Sequence, residues 1–233
     1  MILILRPEPG ASATLAAAHD CELKARAIPL FTVRPLVWAP PAADTIDALL
    51  LGSANTLRHG GPALAAYRSL PAYCVGETTA EAARRAGLEV AATGHGGLQN
   101  LLGVLRPDHR RLLRLAGRER VDLDIPAGVT ITLREVYASE ALPMPTGLAD
   151  ALGGWGADGP VALLHSGEAA ARFAALVDEA GLDRACIRLA AIGPRVAARA
   201  GTGWADLRSA SRPDDAALLA LAQEMCQDVR PGH

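Results

Sequence analysis

The sequence predicts an α/β protein of two domains, each built around a parallel β-sheet. Its 233 residues are many for one ordinary α/β domain and suit two domains of about 115 residues each. Short apolar runs alternate with alanine-rich helical segments along the chain, which is the pattern of βα units on a parallel sheet. Two stretches also resemble each other at an offset of 117 residues, which indicates a duplicated domain.

In the first half of the chain, strands are predicted where short apolar runs end at proline, glycine or serine. These runs are residues 2–5, which stop at Arg6-Pro7, then 27–33, 48–51, 72–75 and 88–91. Helices are predicted over the alanine- and leucine-rich segments between the strands. They are residues 12–25 with Ser12 as the N-cap, one from about residue 54, residues 78–86 closed by Gly87, and 98–105.

The second half repeats this alternation. Strands are predicted at residues 111–115, 129–137, 161–164 and 188–192, with an extended segment at 204–209. The gap between the first two of these strands leaves room only for a shortened helix, around residues 119–123. Further helices are predicted at 168–180, 195–200 and 214–227, followed by a frayed tail after residue 228.

The internal repeat pairs a strand, turn and helix of the first half with those of the second half. Residues 75–80 (VGETTA) resemble residues 192–197 (IGPRVA), and residues 51–53 match residues 164–166 at an offset of 113. A period this long indicates duplicated domains rather than the short units of a solenoid. Chance similarity between alanine-rich helices is the alternative, and the shared order of elements disfavours it.

Two domain arrangements are compatible with this repeat. Tandem domains would divide near residue 107. A swapped arrangement would instead give a discontinuous first domain of residues 1–34 plus 143–233 and a continuous second domain of residues 38–138. Residues 34–41 and 138–145 would be the two connectors. The connectors are proline-marked extended segments that would cross between the domains side by side, and they slightly favour the swapped arrangement.

Composition and charge exclude several functional classes. A formal net charge of −2 argues against a general nucleic-acid binder. The four cysteines and six histidines lack disulfide-framework or metal-ligand spacing, so neither a disulfide nor a metal is expected. Lys24 is the only lysine, a bias that codon usage can explain, so an anion site would use arginine. The N-terminal apolar run is too short for a signal peptide, and no run reaches the roughly 20 residues of a membrane span, so we expect a cytoplasmic protein.

Candidate site residues follow the strands, because open parallel sheets bind ligands beyond the carboxyl ends of their strands. Several of these turns open helices with small or hydroxyl residues, and the free N–H groups of helix N-termini bind anions. Capping of helices by Ser and Thr, without any ligand, is the alternative for each single turn. Equivalent turns in two domains favour one cleft for a molecule with several carboxylates. The turns offer Arg6, Ser53, Ala54, Asn55, Gly76, Glu77, Thr78, Thr79, Gly117, Arg118, Tyr137, His165, Ser166, Gly167, Gly193, Pro194 and Arg195.

Nucleotide-binding and hydrolase motifs are missing from the sequence. Residues 94–97 (GHGG) lack the order of a dinucleotide fingerprint, no phosphate-binding loop occurs, and Ser166 stands in H-S-G without an evident Asp–His pair. Tyr137 ends a strand where a connector begins, and we expect its phenol to face the cleft. The alternative for this residue is an aromatic ring that packs a linker.

Taken in order, these residues resemble the motifs of uroporphyrinogen-III synthases. The resemblance runs from residue 2 to about residue 226, and although each motif is short, the complete set is collinear. The matching segments are Leu5-Arg6-Pro7-Glu8-Pro9 (T-R-P-x-x), Ile28-Pro29-Leu30, Gly52-Ser53-Ala54-Asn55 (T-S-x-N), Val75-Gly76-Glu77-Thr78-Thr79-Ala80 (V-G-x-x-T-A), Arg114 with Gly117-Arg118 (R-G-x-G-R), Val136-Tyr137 (V-Y) and Ala191-Ile192-Gly193-Pro194 (A-I-G-P).

The resemblance implies two flavodoxin-like, doubly wound parallel-sheet domains joined by a two-stranded linker, with the N-terminal segment in the C-terminal domain. It implies that hydroxymethylbilane, a linear tetrapyrrole with eight carboxylates, is converted to uroporphyrinogen III in the interdomain cleft. The hydroxyl leaves as water, the last ring is inverted and the macrocycle closes, with no cofactor and no metal. A monomer that receives its substrate by transient hand-over from hydroxymethylbilane synthase is a further expectation.

The resemblance also assigns roles to the candidate residues. Tyr137 would be the hydrogen-bond donor or general acid that assists loss of the hydroxyl. Carboxylates would be held by the hydroxyls of Ser53, Thr79 and Ser166 and by the amides after Gly76 and Gly193.

Two departures from the family pattern leave alternatives open. Arg195-Val196 replaces a pair of hydroxyl residues, and Gly167-Glu168 follows Ser166 where Pro-Ser is usual. These changes fit either a divergent synthase or an inactive synthase-like module that binds an anionic ligand. An unrelated doubly wound binding protein or sugar-nucleotide transferase is disfavoured by the missing phosphate loop and acidic metal motif.

Overall fold

The structure, a computed structural model, describes residues 1–94, 96–152 and 159–228. The chain divides into two compact units, which we call unit 1 (Met1–Thr32 with Glu140–His233) and unit 2 (Val33–Ser139). Each unit contains parallel strands and helices, so the predicted α/β class with two parallel sheets is confirmed.

The helices and strands alternate through most of the chain. Those of the described residues are, in order, β1 (Ile2–Ile4), α1 (Gly10–Asp20), β2 (Ala25–Ala27), β3 (Phe31–Pro35), β4 (Ala48–Leu51), α2 (Asn55–His59), β5 (Ala72–Val75), α3 (Glu77–Arg85), β6 (Val90–Gly94), α4 (Leu98–Leu102), β7 (Arg111–Gly117), β8 (Thr130–Ala141), α5 (Leu148–Leu152), β9 (Val161–Leu164), α6 (Gly167–Glu179), β10 (Arg188–Ala191), α7 (Pro194–Ala200), β11 (Asp206–Ser209) and α8 (Asp215–Gln227). Short 3₁₀ segments lie at Ala43–Thr45, Pro62–Tyr67 and Arg184–Cys186.

The sheet of unit 1 has the order β11-β10-β9-β1-β2, and every neighbouring pair is parallel. Numbered along the chain within this unit, the order is 2-1-3-4-5, which is the order of flavodoxin-like doubly wound sheets. The chain therefore winds one way from β1 to β2 and the other way from β9 to β11.

The sheet of unit 2 contains the same order in a circularly permuted form. Its parallel strands run β8-β7-β4-β5-β6, so β7 and β8 correspond to β1 and β2, and β4, β5 and β6 correspond to β9, β10 and β11. The repeated segments have equivalent positions in this comparison. Residues 51–53 and 164–166 end β4 and β9, whereas residues 75–80 and 192–197 follow β5 and β10.

The central strands are buried on both faces, which explains why they are continuous apolar runs. All residues of β1, β4 and β9 are buried. Alternate residues of β1 enter different cores. Ile2 and Ile4 pack against α1 and α8, whereas Leu3 and the following Leu5 pack against α5 and α6. Each fully buried leucine or isoleucine contributes about 1.5–3 kcal/mol to stability. None of the helices in the described ranges is long and apolar enough to cross a membrane.

Two paired strands carry the chain between the units. Leu36 N donates to Val136 O at 2.9 Å, and Leu142 N donates to Leu30 O at 2.9 Å. Residue 30 thus pairs with residue 142 and residue 36 with residue 136, so the residue number falls along β8 as it rises along β3. The two strands therefore form an antiparallel ribbon. β3 is the edge strand of the six-stranded sheet, next to β8.

Several predicted elements differ from the structure. Ser12 lies inside α1, whose N-cap is Pro9, and its hydroxyl bonds to the side chain of Glu8 at 2.9 Å. The predicted strand 27–33 is divided into β2 and β3 around Pro29. Residues 119–123 form no helix and α4 ends at Leu102, whereas the short helix α5 was not predicted. The predicted tail after residue 228, like His95 of the predicted turn, lies outside the described residues.

Asp47, just before β4, carries a testable electrostatic contribution. Its carboxylate accepts hydrogen bonds from the backbone N–H groups of Arg110 and Arg111 and from Nε and Nη2 of Arg111, at 2.7–3.0 Å. The Arg111 side chain is the main cause that lowers the pKa of Asp47 from 3.8 to about 2. A carboxylate with a lowered pKa stabilises the fold at every pH above its ordinary pKa of 3.8. This contribution disappears as the pH falls towards 2. We expect Asp47→Asn to lower the free energy of unfolding by about 1 kcal/mol at pH 7, after allowance for solvent screening.

Thermal unfolding of wild type and Asp47→Asn between pH 2 and pH 7 would measure this contribution. The difference in Tm between the two proteins should be constant above pH 5 and shrink between pH 4 and pH 2. A difference that does not change with pH would contradict the electrostatic origin.

Candidate active site

The candidate site of unit 2 lies where the winding direction of the chain reverses. From β4 the chain continues to β5 on one side of the sheet, whereas from β7 it continues to β8 on the other. The gap beyond the carboxyl ends of β4 and β7 is therefore a topological switch point, where open α/β sheets bind ligands. A pocket of about 160 Å³ is present there, lined by Gly52, Ser53, Thr56, Leu98, Arg114, Leu115, Ala116, Gly117, Glu119, Arg120, Val121 and Tyr137.

Tyr137, which lies inside β8 rather than at the predicted end of a strand, forms one wall of this pocket. Its ring lies over Gly117, where an added Cβ atom would approach ring carbons Cε2 and Cζ to 2.7 Å, so only glycine leaves room for the ring. The imidazole of His59 lies beside it, with ring centroids 6.1 Å apart, and burial lowers the pKa of His59, which keeps it neutral at pH 7. Within the described ranges, the Tyr137 hydroxyl has no hydrogen-bond partner. This hydroxyl is therefore available to a molecule in the pocket.

The turn after β4 supplies a second predicted residue, Ser53. Its Oγ accepts a hydrogen bond from Asn55 N at 3.2 Å, and its carbonyl oxygen accepts one from Thr56 Oγ1 at 2.7 Å. The Ser53 O–H can still donate to a ligand, because a hydroxyl donates and accepts independently. Ala54 is buried, and the Asn55 side chain accepts a hydrogen bond from Arg58 at 2.9 Å. Ala54 and Asn55 are not among the pocket-lining residues.

Arg114, in the middle of β7, matches a family motif in the sequence, but the sequence assigns it no role in the site. Its side chain is buried, with 6% of the residue exposed, and it lines the pocket. Nη2 donates to the carbonyl oxygen of Val121 at 2.8 Å, whereas the buried Nε has no partner among the described residues. Burial and the nearby positive charge of Arg120 lower the pKa of Arg114. A charged group among the apolar residues of a predicted strand is the signal that could have identified it.

Arg118 lies outside the pocket lining. Its guanidinium is half exposed and lies 3.8 Å from a carboxylate oxygen of Glu135. Glu135 makes a shorter contact of 2.6 Å with Arg120, which does line the pocket. The backbone of Arg118 has a separate role, because its N–H donates to the carbonyl oxygen of Tyr137 at 3.0 Å and joins β7 to β8.

The N-terminus of α3 has the features predicted for an anion-binding turn. Gly76 precedes the helix with a φ of +74°, a conformation that favours glycine, and provides no side-chain cap. The first N–H groups of the helix therefore have no side-chain acceptor at the cap. Thr78 is exposed and Thr79 is buried, and neither lines the pocket of unit 2.

The switch point of unit 1 lies between β1 and β9, and an internal carboxylate lies beside it. Arg6, which follows β1, donates to both oxygens of Asp215 at 2.9 Å. Thr14 Oγ1 donates to the same carboxylate at 2.6 Å. His165, which follows β9, places Nε2 at 3.3 Å from Asp215 Oδ1, a close approach without hydrogen-bond alignment. Arg6, one of the two predicted arginines of this unit, is thus paired with a carboxylate of the chain itself.

The other predicted residues of unit 1 lie at two helix N-termini. Ser166 caps α6, because its Oγ accepts from Ala169 N at 3.1 Å, and Gly167 follows it in the first turn. Gly193 precedes α7 in an extended conformation, and Pro194 occupies its first turn. Arg195 is exposed, and no ion pair or hydrogen bond of its guanidinium is found among the described residues. Of the predicted residues, the pocket of unit 2 brings together Ser53, Gly117 and Tyr137.

Comparisons with known proteins agree on one family. A family model described as uroporphyrinogen-III synthase HemD matches residues 14–220. Among solved structures, the chain is similar to a uroporphyrinogen-III synthetase from Helicobacter pylori 26695, with 16% identity, 96% of this chain and 98% of that chain covered, and a TM-score of 0.66. It is also similar to a mutant uroporphyrinogen III synthase from Thermus thermophilus, with 15% identity, 98% and 100% covered, and a TM-score of 0.55. At these identities the structural likeness shows the fold. No curated protein sequence matches the chain.

Proposed function

The chain belongs to the uroporphyrinogen-III synthase family, and from this premise we propose that it converts hydroxymethylbilane to uroporphyrinogen III. The observation that carries the proposal is the family match, which extends through both units from residue 14 to residue 220. Units 1 and 2 are, in this proposal, the two domains that hold the substrate. The reaction is a dehydration followed by inversion of the last ring and closure of the macrocycle.

The dehydration step needs a proton donor at the departing hydroxyl. We assign this role to Tyr137, whose hydroxyl is without a partner among the described residues and whose ring lines the pocket of unit 2. The phenol transfers its proton to the hydroxyl oxygen as the C–O bond breaks, so that water leaves, and the lone pair of the pyrrole nitrogen forms the new double bond to the carbon. The proton that is released when the macrocycle closes restores the phenol. The step therefore needs only proton transfer and a constrained substrate, and no cofactor is required.

Binding of the eight carboxylates is assigned to several separate groups. Ser53 contributes its O–H in unit 2, and the free N–H groups at the start of α3 contribute an anion site next to Thr79. In unit 1, Ser166, the amides after Gly193 and the exposed guanidinium of Arg195 are the candidates. Arg195 occupies a position where the family has a hydroxyl residue, so it would replace a hydrogen bond to a carboxylate by an ion pair.

The cellular setting follows from the proposed activity. The substrate is a small-molecule tetrapyrrole, which we propose reaches this protein by transient hand-over from hydroxymethylbilane synthase. We propose that the protein acts in the cytoplasm as a monomer and binds neither nucleic acid nor membrane.

An assay with freshly prepared hydroxymethylbilane tests the proposed function. The substrate cyclises spontaneously to the type I isomer, so chromatographic separation of the type I and type III products reports the enzyme directly. We expect the type III isomer to predominate when the protein is present, and the type I isomer alone in a protein-free control. Formation of the type I isomer alone in both samples would contradict a synthase and would favour an inactive module that binds an anionic ligand.

A further inference from the structure

Arg114 differs from the other buried arginine of the described residues, Arg188. Both lie on parallel strands, β7 and β10, and 6–7% of each residue is exposed. The guanidinium of Arg188 donates two hydrogen bonds to the carbonyl oxygen of Gly159 and one to that of Met225. Arg188 is thus fully engaged by the fold, as is usual for a buried charge.

Arg114 is not engaged in this way. Its single hydrogen bond goes from Nη2 to the carbonyl oxygen of Val121, and Nε is buried without a partner among the described residues. No acidic side chain of the described ranges lies within ion-pair distance of it. A buried donor without an acceptor costs about 1–3 kcal/mol, and more when the group is charged. The fold therefore gives this positive charge no ion-pair partner among the described residues, and only the more distant carboxylate of Asp122 acts on it. A bound anion would compensate the remaining charge.

The surroundings of Arg114 restrict what that anion can be. Arg114 lines a pocket of about 160 Å³, which Tyr137 and Ser53 also line. Pockets that hold a whole drug-sized ligand measure about 300–1,000 Å³, so this one has room for one arm of a larger molecule. A planar guanidinium suits a carboxylate, which can accept from Nε–H and a terminal N–H at the same time.

We propose that Arg114 is a substrate-binding residue that holds one acetate or propionate carboxylate of the tetrapyrrole in the pocket lined by Tyr137. This proposal rests on the proposed function, because the substrate is taken from it. By holding one carboxylate of the substrate, Arg114 contributes binding energy that is the same in the ground state and in the transition state. Unit 1 offers no equivalent among its described residues, since the arginine at its own switch point is paired with Asp215.

Kinetics and stability of Arg114→Met, with Arg188→Met as the matched control, test the proposal. For Arg114→Met we expect a KM for hydroxymethylbilane about 10–100-fold higher, a kcat within about threefold of wild type, and a Tm within about 2 °C of wild type or above it. Arg188→Met should lower Tm by about 5–10 °C, because two buried carbonyl oxygens lose their donors. The conservative variant Arg114→Lys should have an intermediate KM. An unchanged KM in Arg114→Met, or a loss of Tm equal to that of Arg188→Met, would overturn the proposal.

A binding measurement separates this inference from the proposed function. In a ¹⁵N-labelled protein, the Nε–H resonance of Arg114 is identified by its absence from the Arg114→Lys spectrum. Sodium propionate should shift this resonance in a saturable manner, whereas sodium chloride at equal ionic strength should not. A saturable shift in a protein that makes no type III isomer would refute the synthase and retain Arg114 as a carboxylate site. Absence of a shift in an active protein would refute the role of Arg114 alone.

Discussion

Replacing Tyr137 with phenylalanine is expected to reduce the rate of type III formation by about 10²-fold while the protein remains folded. A positioned proton donor typically contributes a factor of about 10²–10⁴, and the neighbouring pyrrole can still expel the hydroxyl slowly without it. Stability should change little, because the hydroxyl has no partner within the described residues and the ring keeps its place over Gly117. The measurement is the initial rate of type III formation from fresh hydroxymethylbilane, with Tm determined on the same sample.

Tyr67→Phe is the matched control for this prediction. Tyr67 also belongs to unit 2 and is fully buried, and its hydroxyl donates to the carbonyl oxygen of Pro41 at 2.6 Å. Its loss should lower stability by about 1 kcal/mol and leave the rate of type III formation within about twofold of wild type. If Tyr137→Phe retained the wild-type rate, the assignment of Tyr137 as proton donor would be wrong, although membership of the family would stand.

The parts of the fold that were predictable from the sequence are those determined by local pattern. β4 and β9 are continuous apolar runs closed by glycine or by a polar turn, and a strand buried on both faces requires such a run. The predicted start of α1 differs from the structure because Pro9 is the N-cap and the side chain of Glu8 accepts from Ser12 N, whereas Ser12 resembles an N-cap in sequence alone. Pro29, which has no N–H to donate, separates two short strands that the apolar run predicted as one.

The site was less predictable, because its main features depend on contacts between distant residues. The ion pair of Arg6 with Asp215 joins residues 209 positions apart, so Arg6 was interpreted as a free anion-binding group. For Arg114, the sequence places a charge within a strand but does not indicate whether an internal acceptor will meet it. For Tyr137, the sequence predicts a strand that ends at this residue, whereas β8 continues to Ala141. Its position near the switch point follows from the pairing of β8 with β7, in which Tyr137 lies opposite Gly117.

The two switch points use the same sheet position in different ways. In unit 2 the position holds a pocket with an incompletely bonded guanidinium, whereas in unit 1 the arginine is neutralised by Asp215 from the start of α8. The first arrangement leaves binding energy for a ligand, and the second uses the same type of group to fasten α8 to the carboxyl edge of the sheet. Duplication of a sheet order therefore does not imply duplication of a binding site, and the contribution of Asp215 to stability can be measured separately.

Asp215→Asn is expected to lower the free energy of unfolding by about 2 kcal/mol at pH 7. Loss of one partner of a buried ion pair costs about 3–5 kcal/mol, and the value is reduced here because about a third of each side chain is exposed. The imidazole of His165, the hydroxyl of Thr14 and the guanidinium of Arg6 lower the pKa of Asp215 far below its usual range. The stabilisation is thus complete above the ordinary value of 3.8 and is lost progressively as the pH falls below it.

Urea unfolding at pH 7 and at pH 3 would measure both the size and the origin of this contribution. The difference between wild type and Asp215→Asn should be larger at pH 7 than at pH 3. At pH 3 the carboxyl group of the unfolded state binds a proton whereas the native carboxylate stays charged, so acid stabilises the unfolded state. Asp178→Asn is the matched control, since Asp178 also binds a guanidinium at two oxygens but lies at the surface. Its effect on the free energy of unfolding should be much smaller than that of Asp215→Asn, because solvent screens an exposed pair. Equal effects of the two substitutions would show that the ion pair of Arg6 contributes no more than a surface pair, and the fastening of α8 would then depend on its apolar contacts alone.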